Sequence, residues 1–336
     1  MLRTAILGTG DISHEFVQNV AKASDFRITH VYNRDIAKAA AFARSYNIEH
    51  SCDTYATVNA SDVDVVYIGL PNGLHFEAAR EALTAGKHVL VEKPLVSTLH
   101  EFDVLSATAA RAGCRLIEIT RTLSSSGFSA LRNCLPQLGA LRWVDISFCK
   151  YSRKYNAWLE GQKPNVFTAE FSGGALYDLG VYGVHLAVGL FGLPRMVSYR
   201  CNMMSSGVDS AGALCLTYDG FTVNMLCGKN FELPPRVALC GERDTAFSAS
   251  PPSILHNVRL LKNAQQLTGG GQSESDNFLL TLLEAVHLLR PDATAEYEAR
   301  LRHCRNVIQV LCAARADAGI VFPADLFCSC PDTCPK

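Results

Sequence analysis

A chain of 336 residues is long for one hydrophobic core and comfortable for two. Hydrophobic residues make up 48% and charged residues 19%, which excludes a globally disordered chain. With 31 basic against 32 acidic side chains the formal net charge is -1, so nothing in the balance points to a nucleic-acid or anionic-membrane partner.

The first residues run straight into a strand pattern, with no apolar leader behind a charged start. The most apolar long stretch, 180–194, carries His185 and is too short to span a bilayer. A cytoplasmic protein is therefore expected. Most of the thirteen cysteines sit singly in apolar runs, as Cys215 and Cys227 do, and are expected as thiols acting as small hydrophobes.

Residues 4–7 read as a short strand ending in Gly8, followed by a helix to about residue 22. A strand at 26–32 and a helix at 35–46 come next. Residues 63–70 are almost wholly apolar and valine-rich, as a strand buried on both faces requires. An Ala-rich helix at 76–85 closes on Gly86, and 88–91 is the next buried strand. A helix at 99–112 and a strand at 115–119 complete the alternation, which predicts a doubly wound parallel sheet of the Rossmann type.

The rhythm then changes. A helix at 128–135 precedes a strand at 141–150, and one long helix covers 174–190. Strand patterns follow at 197–204, 211–218, 222–227 and 236–239, with Asp219-Gly220 a hairpin signal between two of them. A Gly-rich loop at 268–271 leads to helices at 275–289 and 296–316. This half predicts an α+β domain on a large, mostly antiparallel open sheet. The expected domains are 1–121, 122–326 and a Cys-rich tail, 327–336. In that tail Cys328, Cys330 and Cys334 lack a matching second pair of ligands, so no metal is expected.

Gly8-Thr9-Gly10-Asp11-Ile12-Ser13 matches G-x-G-x-x-small between a strand and a helix. Gly8 permits the turn, Gly10 the approach of a pyrophosphate, and Ser13 close packing of helix on strand. The helix start supplies amides and a partial positive charge. At the end of the second strand, where an acidic residue would bind a ribose 2′-hydroxyl, the chain has Asn33-Arg34, with Lys38 one turn on. Those cations favour a 2′-phosphate, hence NADP(H), with NAD(H) still admissible.

Leu70-Pro71-Asn72 and His75 close the third strand of this reading, and Glu92-Lys93-Pro94 the fourth. Both lie at the carboxyl edge of the sheet, where ligands bind in open parallel sheets. Lys93 is either directed at a nicotinamide or an ordinary turn lysine. In the second half Asp178, Tyr182 and His185 stand at i, i+4 and i+7, on one face of a helix that is otherwise apolar.

These residues carry a resemblance. The glycine-rich start, Pro71-Asn72 with His75, the run from Ala85 through Glu92-Lys93-Pro94, and Gly173-Gly174 through Tyr182 resemble the Gfo/Idh/MocA oxidoreductases along essentially the whole chain. The resemblance implies dimers through the open sheet, or higher homo-oligomers. It also implies a small carbohydrate-like substrate, and catalysis by Lys93 with Tyr182 four residues after Asp178. The acid/base position is Tyr rather than the His of inositol dehydrogenase, which puts an inositol substrate in doubt. Residues 151–155, Tyr-Ser-Arg-Lys-Tyr, either border the substrate pocket or form a solvated basic loop.

The expected reaction is hydride transfer between nicotinamide and the carbinol carbon of a sugar, polyol or trans-diol. A free tyrosine, with pKa about 10, is a poor base at neutral pH, and an ammonium such as that of Lys93 stabilises its phenolate. Asp178 would orient the substrate, and His185 would bind a further hydroxyl or pack. Two alternatives stand beside this: a non-catalytic NAD(P)-binding regulator, and an NAD-dependent glycosidase of the same fold.

Overall fold

A computed structural model describes residues 1–23, 25–268 and 274–327. The chain divides into two compact units, residues 1–119 with 278–304, and residues 120–277 with 305 onward. The 278–304 segment thus belongs with the first unit, not with the 122–326 stretch to which its sequence position had allotted it. Cys328, Cys330 and Cys334, and residues 269–271 of the Gly-rich loop, lie outside the described residues.

The first unit is a six-stranded sheet of β1 (Leu2–Leu7), β2 (Phe26–Tyr32), β3 (His50–Cys52), β4 (Val65–Ile68), β5 (His88–Glu92) and β6 (Leu116–Ile119). Their order is β3-β2-β1-β4-β5-β6, and every pair is parallel. That is the order of a dinucleotide-binding Rossmann sheet, with its reversal between β1 and β4. β4 is buried along its whole length, which explains its unbroken apolar sequence. The returning helices add Phe278, Leu282, Leu288 and Tyr297 to the cluster of Ile6, Phe16, Tyr67 and Leu90. The Tyr297 hydroxyl accepts from the Leu116 amide at 3.2 Å, tying this segment to β6.

The second unit is built on β7 (Leu141–Cys149), β8 (Met196–Met203), β9 (Asp209–Tyr218), β10 (Phe221–Gly228), β11 (Leu233–Gly241), β12 (Thr245–Ser248) and β13 (Arg259–Leu260). The order is β13-β12-β11-β7-β10-β9-β8. Only β7 and β10 pair in parallel; the other neighbours are antiparallel. Asp219-Gly220 forms the expected two-residue turn, with Tyr218 opposite Phe221 and Gly220 at φ +84°.

The long apolar helix differs from its sequence reading in two ways. The stretch Ala169–Phe191, 23 residues, is long and apolar enough to cross a membrane, so shortness is not what argues against a span. Its burial does: 72% of the apolar window is covered by protein, as in a core helix. The helix is also not uniform. A π-helical turn, Leu176–Gly180, precedes the α-helix Val181–Phe191. Such widened turns are rare and concentrate at functional sites.

Of the ten described cysteines six are buried and four, Cys215 among them, are half-buried. Cys134 and Cys149 are buried, and burial pushes each thiol up to about 11. Among the described residues no three His, Cys, Asp or Glu side chains are arranged to hold a metal ion.

Candidate active site

In the first unit the strand ends at the β1–β4 reversal make a close junction. Gly8 has φ +108°, and a Cβ there would stand 2.7 Å from the Gly69 carbonyl oxygen. A Cβ on Gly69 would in turn stand 2.9 Å from Ser13 Oγ. Three small residues are therefore what lets the helix Asp11–Val20 start against these strands. Gly10 caps that helix without a side-chain hydrogen bond, and a Cβ there would meet open space. The first-turn amides of Asp11 and Ile12 consequently face a cleared approach at the positive end of the helix. This arrangement fits a pyrophosphate.

At the end of β2, Asn33 donates to Thr9 Oγ1 at 2.6 Å and accepts from the Asp35 amide at 2.9 Å. Asp35 caps the helix Ile36–Tyr46, and Lys38 Nζ lies 3.9 Å from its carboxylate. Arg34 is exposed. Both cations are thus exposed, and Lys38 has a carboxylate neighbour.

The Lys93 turn is built from beneath. Glu92 is buried and accepts from the Tyr67 hydroxyl at 2.8 Å. His75 is fully buried, its Nδ1 3.0 Å from the Pro94 carbonyl and its Nε2 2.8 Å from the Leu70 carbonyl. Burial holds the His75 pKa below its ordinary value. From Val89 to Thr98 every residue is buried except Lys93. His75, Glu92 and Pro94 form the frame that links the two turns; Leu70, Pro71, Asn72 and Lys93 are the partly open residues above it.

The second unit shows the same selection. Between Ser172 and Val188 only Asp178 and Tyr182 are partly exposed. His185 is completely buried, which favours packing over binding of a further hydroxyl among its two expected roles. Tyr182 and His185 share the regular α-helix Val181–Phe191, yet only Tyr182 reaches the surface. The Tyr182 ring lies 5.9 Å, centroid to centroid, from Phe148 on β7.

Two further residues escape a sequence reading. Lys229, directly after β10, pairs with the Asp178 carboxylate. Its signal was a lysine ending an apolar strand, the same pattern as Lys93. Asp209, at the start of β9, accepts from the Leu176 amide at 2.8 Å and from the Tyr199 hydroxyl at 2.6 Å. It thereby anchors the helical segment that carries Asp178 and Tyr182. Residues 151–155 are not simply a solvated loop. Tyr155 begins to turn inward within the helix Arg153–Leu159, its ring 5.7 Å from Phe167, and the Tyr151 hydroxyl donates to Asn156 at 2.6 Å.

Residues 2–120 match the oxidoreductase family with an NAD-binding Rossmann fold, and residues 136–247 match the GFO/IDH/MocA C-terminal domain. The chain belongs to the Gfo/Idh/MocA oxidoreductase family. It is 32% identical to scyllo-inositol 2-dehydrogenase (NADP(+)) of Bacillus subtilis, over 97% of this chain and 99% of the relative. It is 29% identical to trans-1,2-dihydrobenzene-1,2-diol dehydrogenase of Xenopus laevis, over 76% of this chain and 79% of that one. In fold it is similar to the 3-ketoreductase KijD10 from Actinomadura kijaniata, with a TM-score of 0.82, 22% identity, and coverage of 94% and 98%. Family membership makes the protein an NAD(P)-dependent oxidoreductase with a Rossmann cofactor domain.

Proposed function

We propose that the protein moves a hydride between NADP(H) and a carbinol carbon of a sugar, polyol or trans-diol. The observation that carries this reading is the pairing of Asp178 and Tyr182 as the two open side chains of an otherwise buried helical segment. Bound nicotinamide supplies the carbon that takes or gives the hydride. Tyr182 takes or returns the hydroxyl proton, and Lys93 supplies the positive charge that favours the phenolate. Asp178, one turn before Tyr182, accepts a hydrogen bond from a substrate hydroxyl and so fixes the reacting carbon. The names of the Bacillus and Xenopus relatives, one an inositol and one a diol dehydrogenase, support this substrate class. A tyrosine at the acid/base position remains the argument against a simple transfer of the inositol activity.

The test is a panel of aldoses, polyols and trans-diols followed at the absorbance of reduced nicotinamide. Net reduction of the cofactor with an unactivated polyol or diol supports the reading. Its absence across the panel favours a binding protein or a glycosidase. A homodimer through the open second sheet belongs to the same reading, supported by the exposed apolar Trp143, Met196 and Met203 on its strands.

The preference for NADP(H) rests on Arg34 and has its own test. Arg34→Ala is expected to weaken NADP(H) binding by about 1.5–3 kcal/mol, the size of a charge-assisted contact, and to change NAD(H) binding far less. Equal losses for both cofactors in a fluorescence titration would remove Arg34 from the 2′-phosphate.

A further inference from the structure

Lys229 is only 5% exposed, and lysine is seldom buried unless paired. Its backbone is held on both sides. Its amide donates to the Ser210 carbonyl at 2.8 Å, and its carbonyl accepts from the Ser152 amide at 2.9 Å. From that fixed point the ammonium reaches the Asp178 carboxylate, while it lies 5.8 Å from the centroid of the Phe167 ring. The two partners differ in openness: the Lys229 side chain is 7% exposed and that of Asp178 is 30%. One end of the ion pair is set into the wall, and the other faces outward beside Tyr182.

We propose that Lys229 is a positioning residue that holds Asp178 ionised and in one orientation, so that Asp178 acts only as an acceptor for a hydroxyl next to the reacting carbinol. An ionised carboxylate has no proton to donate. A carboxylate locked by a buried ammonium also cannot swing away when substrate leaves. The site therefore selects an uncharged substrate with vicinal hydroxyl groups, one for Tyr182 and its neighbour for Asp178. Lys229 itself is not an anchor for a carboxylated or phosphorylated substrate, because its ammonium is enclosed and already engaged. The inference rests on the roles proposed for Asp178 and Tyr182.

The experiment is a double-mutant cycle on the full chain, using a neutral vicinal polyol or diol found active in the panel and its analogue lacking the neighbouring hydroxyl. Lys229→Met should lower kcat about 10–100-fold, the scale of a misplaced reacting group, with cofactor Kd unchanged. Lys229→Arg should restore kcat to within a few-fold. Preference for the vicinal substrate over its deoxy analogue should shrink in Lys229→Met and in Asp178→Asn alike. Introduced into Asp178→Asn, Lys229→Met should cause little further loss, because the two act as one unit. If Lys229→Met alone does not fold, the comparison of Asp178→Asn with the double mutant, which removes both charges together, still decides. Full additivity, wild-type turnover in Lys229→Met, or a loss confined to anionic substrates overturns the inference. The underlying reading fails separately: it falls if Tyr182→Phe retains hydride transfer, whatever Lys229 does.

Discussion

Tyr182→Phe is expected to keep the fold and the cofactor affinity while lowering hydride transfer about 10²–10⁴-fold, the usual cost of removing a positioned proton-transfer group. The substitution deletes one oxygen and leaves the ring, so the packing against Phe148 at 5.9 Å is retained. Lys93→Met should also lose turnover. Its residual activity should shift the basic side of the pH profile upward, because a phenol without a neighbouring ammonium ionises at higher pH. If the two groups serve one proton transfer, the double mutant is little slower than either single mutant. The measurement is single-turnover hydride transfer at saturating cofactor for the two single variants and the double. Transfer by Tyr182→Phe within a few-fold of wild type removes the assignment. The role would then pass to Asp178, the other open residue of the segment, and not to His185, which is fully buried.

That last exclusion marks where the sequence stops being informative. Asp178 and Tyr182 stand out by spacing on an apolar helix, and that spacing survives. His185 satisfies the same arithmetic, but spacing on a nearly all-apolar helix does not say which positions neighbouring elements cover, and His185 is completely buried. Nor does any propensity mark the π turn at Leu176–Gly180 in advance. Gly8, Gly10 and Ser13 were legible because each answers a local steric demand that one strand and one helix impose. Lys93 was legible because its strand is unmistakably buried. His75 and Glu92 share Lys93's neighbourhood in sequence, yet burial turns them into its frame. Lys229 and Asp209 lie 51 and 31 residues beyond Asp178, and only the registers of β7, β9 and β10 bring them to it. The short edge strand β3 and the return of 278–304 to the first unit are likewise tertiary facts. Neither has a periodicity long or distinctive enough to announce its partner.

Gly174→Ala is expected to destabilise the second unit by about 2–5 kcal/mol, combining left-handed backbone strain of about 1–2 kcal/mol with about 1–3 kcal/mol for a buried polar group deprived of its bonds. Gly174 has φ +104°, and a Cβ there would stand 2.1 Å from Asp209 Oδ1. The obstructed group is a carboxylate rather than a flexible chain end. Asp209 is 1% exposed, and its other oxygen takes hydrogen bonds from Tyr199 and from the Leu176 amide. Burial raises its pKa, with those hydrogen bonds acting in the opposite direction. Moving it would release the start of the segment that presents Asp178 and Tyr182. A matched control separates strain from obstruction. Gly220 has φ +84° in the β9–β10 turn, and a Cβ there meets nothing within 4 Å. Gly220→Ala should therefore cost only the backbone term, about 1–2 kcal/mol. Urea denaturation of both variants gives the comparison within one unit. A Gly174→Ala cost no larger than that of Gly220→Ala would mean that the Asp209 carboxylate yields freely. The Gly173-Gly174 pair would then be a turn and nothing more. A larger cost, joined to a loss of turnover in the fraction that remains folded, makes the pair part of what aims the acid/base residue.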